Sequence, residues 1–256
     1  MSQNKGVPRP GSSSNRSCSV SITTIFLDLY QTLAYFHPPR ESRQAQTLRE
    51  FGFDVEESVL SRGYLAADHY YTLAAMDVPI HMLPPDGRER VYLHYQQVLL
   101  EEIGLAHAFP MIEQIRERYQ QVDYEFRLFP DVLPAIRQLR NAGYRIGVIT
   151  NVTDDPTKQL ETVGLKGAFE SITASCVVGC EKPDVRIFQA ALTAMGAKSH
   201  QAVHVGDQFL ADVEGAKAAG MKAVLLDRHD LQAGRHPHRV ASLLDLVPLL
   251  RSGALE

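Results

Sequence analysis

Short apolar runs punctuate this chain, and each of the strongest ends on a polar residue. Ile22–Leu27 closes on Asp28, Tyr144–Ile149 on Thr150-Asn151, and Ala202–Gly206 on Asp207, with further runs near Ser171–Ala174 and over Lys222–Leu226. Runs of roughly 4–8 residues without polar alternation are the mark of strands covered on both faces. Between them the apolar positions change to helical spacing, predicting helices over Asp131–Ala142, Thr157–Val163, Val185–Met195, Ala211–Ala219 and, last, Val240–Leu250. Strands alternating with helices imply right-handed crossovers and a Rossmann-like α/β fold, a parallel sheet with helices on both faces. In such a sheet the strand tips share one edge, where ligands bind.

Between Phe36 and about Arg127 the strand pattern vanishes. Helices are predicted over Glu41–Phe51, Val55–Met76, Arg88–Ile103 and Met111–Val122, and Val91, Tyr92, Tyr95, Val98, Leu99, Leu100 and Ile103 form a broad stripe suited to helix packing. The expected organisation is an α/β core from residues 21–35 and 128–256, with an inserted helical bundle at 36–127. Residues 1–20 hold Gly11-Ser12-Ser13-Ser14-Asn15, several prolines and no apolar core, which reads as a disordered arm and not as a secretory signal. Tyr64, Tyr70 and Tyr71 fit bundle packing better than pocket lining. Arg228-His229-Asp230 and Arg235-His236-Pro237-His238-Arg239 read as polar loop, with no carboxylate or cysteine cluster to make a histidine metal site.

Composition narrows the function. With 256 residues, 45% hydrophobic content and a net charge of −4, the chain carries no basic footprint for nucleic acid or anionic membrane. No apolar run approaches the ~18 residues that would suggest a membrane span, so a soluble, cytoplasmic protein is expected. Cys18, Cys176 and Cys180 fit no zinc spacing and read as reduced thiols.

The polar residues at the run ends carry the candidate chemistry. A carboxylate at a strand tip, Asp28, can act as nucleophile or metal ligand. Thr150 can donate a hydrogen bond to an anion, and Lys182 in Glu181-Lys182-Pro183-Asp184 falls in the loop before a helix whose first turn suits Pro183. Asp207 ends its strand with Asp212 five residues on, at the start of a helix, and two such acids form a hard-cation pair. Each has an ordinary alternative as a cap or surface charge; their order along the chain is what makes the set specific.

From about Ser21 to Asp227 that order resembles the haloacid dehalogenase-like hydrolase superfamily, with all four motifs in sequence and Val213–Met221 similar to the helix after its metal site. The resemblance implies a subfamily I arrangement, in which the inserted bundle is a cap over the core. It implies that Asp28 is the nucleophile, that Thr150 with Asn151 binds the transferred phosphate, and that Lys182 balances charge. It also implies that Asp28, the Tyr30 backbone carbonyl, Asp207 and Asp212 hold Mg²⁺. The charges agree with this independently. Two carboxylates ~4 Å apart repel by about 4 kcal/mol at an effective dielectric near 20, which Lys182 and one divalent cation would offset, and an all-oxygen donor set suits Mg²⁺ over zinc.

The expected activity is Mg²⁺-dependent hydrolysis of a small phosphate ester through an aspartyl-phosphate, with the backbone N–H groups after Asp28 helping to cradle the phosphate. Two residues depart from the pattern. Tyr30 stands where the family's phosphatases carry a second aspartate, which predicts weak turnover of alkyl phosphates, since a phenol of ordinary pKa near 10 is a poor base. Gln31 stands where glycine is usual, so that turn must tolerate a side chain. His37 beside Pro38-Pro39 reads as a loop residue before it reads as a substitute. Tyr30 also fits a 2-haloacid dehalogenase, in which Asp28 would attack carbon without metal. Against this, dehalogenases carry a serine- and asparagine-rich fourth motif where this chain has Asp207 and Asp212, and without a cation Asp207 would raise the pKa of Asp28. A third reading keeps the fold as a non-catalytic binder of a phosphorylated ligand or a partner.

Overall fold

The computed structural model describes residues 21–255; the N-terminal arm expected over residues 1–20, and Cys18 with it, lies outside the described residues. In chain order β1 (Thr24–Leu27) is followed by β2 (Ala34–His37) and the helices α1 (Arg40–Glu50), α2 (Glu57–Ala75), α3 (Pro85–Glu102) and α4 (Ile112–Gln120). The chain then alternates: β3 (Glu125–Leu128), α5 (Val132–Asn141), β4 (Arg145–Thr150), α6 (Thr157–Thr162), β5 (Ser171–Ala174), α7 (Ser175–Val178), α8 (Val185–Ala194) and β6 (Ala202–Gly206). It ends with α9 (Gly215–Ala218), β7 (Lys222–Leu226), β8 (Arg239–Val240) and α10 (Leu246–Arg251).

Six strands form one sheet in the order β5-β4-β1-β6-β7-β8, every pair parallel. β1 lies at its centre and is buried along its whole length, which is why its sequence is apolar without alternation. Its side chains divide between two cores. Ile25 and Leu27 pack with Val132, Ile136 and Leu139 of α5 and with Leu243 and Leu246 on one face. Phe26 packs with Ile187, Phe188 and Ala191 of α8 and with Val213 on the other. Strand order reverses at β1, with β4 on one side and β6 on the other, and a crevice opens beyond the carboxyl ends of strands at such a switch point. A third core lies within the helical insertion, where Leu48, Leu60, Leu99, Leu100 and Ile115 are inaccessible to solvent.

The parallel α/β architecture and the inserted helices agree with the sequence reading, and the differences are local. β2 and β3 form an antiparallel two-stranded ribbon that was not expected, pairing Ala34 with Leu128 and His37 with Glu125 at the two ends of the helical insertion. Its strands are only four residues long and half exposed, too short for a periodic signal. Pro183 lies outside α8, not in its first turn, because the Asp184 side chain accepts from the Arg186 N–H at 2.9 Å and sets the N-cap one residue later. The helix expected over Val240–Leu250 is divided. Val240 pairs in β8, and a capping box between Ser242 and Asp245 starts a 3₁₀ turn (Leu243–Asp245) that leads into α10. The segment Ala211–Ala219 begins instead as a π-helical turn, Phe209–Glu214, and becomes α9 only at Gly215.

Candidate active site

Asp28, Thr150 and Asp207 come from three adjacent strands. Leu27 pairs with Val148 on one side and with Val205 on the other, and the Asp28 N–H donates to the Val205 carbonyl at 2.9 Å, so the residues that end β1, β4 and β6 emerge side by side. Asp212 reaches the same place from the π-helical turn. Asp28, Asp207 and Asp212 each offer a carboxylate oxygen within 4.8 Å of the others. Gly206 makes this approach possible: a Cβ there would lie 2.2 Å from the Asp212 carboxyl carbon.

Lys182 enters between the acids. Its ammonium donates to Asp28 Oδ1 at 2.5 Å and to Asp212 Oδ1 at 2.6 Å, and it is almost fully buried. The Asn151 side chain holds this loop in place, accepting from the Lys182 N–H at 2.7 Å and donating to the Lys182 carbonyl at 3.0 Å. Both functional atoms of Asn151 are thereby engaged by backbone, so its observed part is to position Lys182. His204, to which the sequence reading gave no part, donates from Nε2 to Asp212 Oδ1 at 2.9 Å, and the Gln208 N–H donates to Asp212 Oδ2 at 2.9 Å. His204 was in view as a residue of β6, but only the fold turns it toward Asp212.

The acids are not equivalent. Burial acts to raise all three, but Lys182 and His204 together outweigh it at Asp212 and hold that carboxyl well below the usual range. Burial prevails at Asp28, which has Lys182 and the Leu29 N–H to favour its charge and Asp212 to oppose it, and its pKa is pushed up to about 6. Asp207, facing both other acids and, among the described residues, receiving only a long bond from the Thr32 hydroxyl at 3.4 Å, is pushed well above the ordinary carboxylate value by burial and that repulsion. Burial alone would depress Lys182, yet Asp212 and Asp28 raise it, so it stays charged. Three acids with one cation therefore fit a divalent ion, and an all-oxygen donor set of Asp28, Asp207 and Asp212 suits a hard one. Among the described residues no other group of three such side chains has that geometry.

Thr150 is inaccessible to solvent, and its hydroxyl has no hydrogen-bond partner among the described residues, as suits a group kept for a ligand. Gln31 adopts φ 61°, the left-handed turn conformation that glycine would take without strain. The Tyr30 hydroxyl donates to Gln159 at 3.1 Å, and its ring packs 5.4 Å from those of Phe36 and Phe126. Burial raises its pKa further, which makes it a weaker acid than free phenol. His37 lies in β2 against Tyr35 and does not line the cavity.

Above the strand tips a cavity of about 700 Å³ separates sheet from helices. Tyr30, Gln31, Asn151 and Glu181 line its sheet side, and Arg43, Tyr64, Tyr71, Tyr95, Arg116 and Tyr119 line the helical side. The expectation for the tyrosines is thus corrected in part. Tyr64 packs in the helical core and also borders the cavity, Tyr71 lines it, and Tyr70 instead meets His94.

A parallel sheet with a carboxylate at its central strand tip, a buried lysine beside it, two further acids and a helical insertion after the first strand defines a class of hydrolases. The chain belongs to the haloacid dehalogenase-like hydrolase family, which it matches over residues 22–220. It is 28% identical over 243 residues to human haloacid dehalogenase-like hydrolase domain-containing protein 3, covering 90% of this chain and 94% of that one. It is 26% identical to glyceraldehyde 3-phosphate phosphatase of Methanopyrus kandleri over 70% of this chain and 84% of the relative. A 39% identity to the enzyme of the same name from Methanothermobacter thermautotrophicus spans 43% of this chain and only 49% of the relative. Among solved structures, the HAD-hydrolase YfnB from Bacillus subtilis bound to magnesium matches with a TM-score of 0.59 at 18% identity, over 90% of this chain and 99% of that one. The L-2-haloacid dehalogenase RSc1362 matches equally well in fold, at TM-score 0.59 and 19% identity, also over 90% and 99%.

Proposed function

We propose that this protein is a Mg²⁺-dependent phosphohydrolase for small soluble phosphate esters, with residues 36–127 as its cap domain and residues 21–35 and 128–256 as its core. The observation that carries the reading is the surplus of carboxylate at the strand tips: Asp207 and Asp212 stand beside Asp28, and Lys182 contacts only two of the three. A dehalogenase acting without metal would have no use for Asp207, a buried acid whose ionisation Asp28 and Asp212 oppose. The named phosphatases among the relatives support the same reading.

In this scheme an oxygen of Asp28 attacks phosphorus in line; the new O–P bond forms as the ester O–P bond breaks, and the leaving oxygen takes a proton from water. Water then attacks the aspartyl-phosphate, releasing inorganic phosphate and restoring the carboxylate. The unpartnered Thr150 hydroxyl donates to a phosphoryl oxygen, and Lys182, held by Asn151, keeps Asp28 ionised and faces the anion. Mg²⁺, held by Asp28, Asp207, Asp212 and the Tyr30 carbonyl, would supply charge neutralisation on phosphate. The Tyr30 hydroxyl, directed to Gln159 with a raised pKa, gives little help to an alkoxide leaving group. Cys176 and Cys180, both free thiols, suit work in the cytoplasm.

The test is phosphate release from an activated aryl phosphate, with Mg²⁺ and with EDTA, by the wild type and by Asp28→Asn. Metal-dependent release that the substitution abolishes supports the reading. No release, together with chloride release from 2-chloropropionate, would transfer the chain to the dehalogenases.

A further inference from the structure

Arg43 is 5% exposed, yet among the described residues its guanidinium has no carboxylate partner and no hydrogen bond. A buried cation without a partner is costly, and the other arginines on this side of the cavity have one. Arg40 is held by Asp68 at 2.8 Å, and Arg116 by Glu89 at 2.8 Å. Arg43 is held only by rings: its guanidinium carbon lies 4.6 Å from the Tyr124 ring centre, 4.8 Å from Tyr119 and 5.7 Å from Phe36. Those contacts satisfy the faces of the guanidinium and none of its five N–H donors.

The neighbouring groups show the same imbalance. Gln96, 5% exposed, borders the cavity with its Nε2 unpartnered, and Arg116 Nε is unpartnered as well. Three residues that line the same cavity from α1, α3 and α4 thus each hold a buried N–H without an acceptor among the described residues, where a folded protein ordinarily pairs such groups. Donors in excess call for an acceptor-rich ligand. The wall also communicates with the reaction centre, because the Phe36 ring that Arg43 touches stacks 5.4 Å from Tyr30.

We propose that Arg43, with Gln96 and Arg116, forms a second anion subsite, so that the substrate is a phosphate ester bearing another acidic group, carboxylate or phosphate, at its far end. The proposal rests on the phosphohydrolase reading for the identity of the near end, and it makes Arg43 a specificity-determining residue. The planar fork of arginine suits either oxyanion, and the surrounding tyrosines lend the body of the substrate apolar surface with hydroxyl rims.

Binding of inert phosphonates tests it without turnover. Calorimetry in Mg²⁺ compares alkylphosphonates of two to five methylenes with the same chains ending in carboxylate and in a second phosphonate, the two arms separating the possible acids. The wild type is expected to prefer at least one doubly acidic series by about tenfold or more, the size of one charge-assisted contact. Arg43→Gln is expected to erase that preference, and Arg43→Lys to keep part of it. If Arg43→Gln fails to fold, Gln96→Leu should lower the preference in the same direction by about threefold, as for a neutral hydrogen bond. Equal affinity across the series, no binding at all, or a preference that survives Arg43→Gln overturns the subsite. Aryl phosphate release measured on the same preparations reports separately on the phosphohydrolase reading, since a protein without turnover can still discriminate the phosphonates.

Discussion

Replacing Lys182 with methionine removes the one cation among the three acids while nearly preserving side-chain volume. Its two contacts, at 2.5 Å and 2.6 Å, keep Asp28 and Asp212 charged in a site where neither is well solvated. Without it the carboxylates face one another with ligand oxygens no more than 4.8 Å apart. At that separation and an effective dielectric near 20, each ionised pair repels by about 3.5 kcal/mol, and breaking a buried ion pair typically costs about 3–5 kcal/mol. The sign with pH follows. The Asp28 pKa is already raised from 3.8 to about 6, so between those values the folded wild type keeps a proton that the unfolded chain releases, and apo stability falls as pH rises through that window. Loss of Lys182 extends the fall upward in pH, because Asp28 then ionises later still. The ammonium itself is raised, so its own contribution is fully present throughout the neutral range and would be lost only in strong alkali. In EDTA, urea denaturation of Lys182→Met should show a loss of several kcal/mol at pH 8 and a smaller one at pH 5, where Asp28 is neutral and only the pair with Asp212 is broken. A variant as stable as wild type at pH 8, or an equal loss at both pH values, would refute the account of Lys182 as the charge that holds these acids together.

Three other outcomes follow from the same geometry. Gly206→Ala places a Cβ 2.2 Å from the Asp212 carboxyl carbon, so Asp212 must leave Lys182 and His204; thermal denaturation should show a loss of about 3 kcal/mol or more, with metal-dependent turnover abolished. With Asp28 as a Mg²⁺ ligand, as proposed, protons would compete with the metal for it, so the thermal shift produced by Mg²⁺ should shrink as pH falls through about 6, and a shift independent of pH from 5 to 8 would contradict that role. Tyr30→Asp should raise the rate on alkyl phosphates relative to aryl phosphates by up to about 10², at some cost in stability from the lost packing on Phe36 and Phe126, and an unchanged ratio would show that proton transfer at this position does not limit turnover.

The sequence by itself determined the α/β architecture and the identities of the residues at the strand tips. A strand covered on both faces must be apolar throughout, so Ile22–Leu27 and Ala202–Gly206 were legible, and a charged residue closing such a run stands out because packing gives no reason for it. Short elements were not legible. The ribbon of β2 and β3 and the pairing of β8 depend on partners far along the chain, and the π-helical turn at Phe209 depends on where Asp212 is held. Only the tertiary structure decided what each polar side chain meets. Asn151 grips the Lys182 backbone, His204 orients Asp212, and Arg43 sits among rings with no acid beside it among the described residues, all through contacts that no spacing along the chain encodes. Periodicity reports which face of an element is buried, while charge balance in a site depends on distances between elements, and those are set when the sheet, its helices and the inserted bundle pack together.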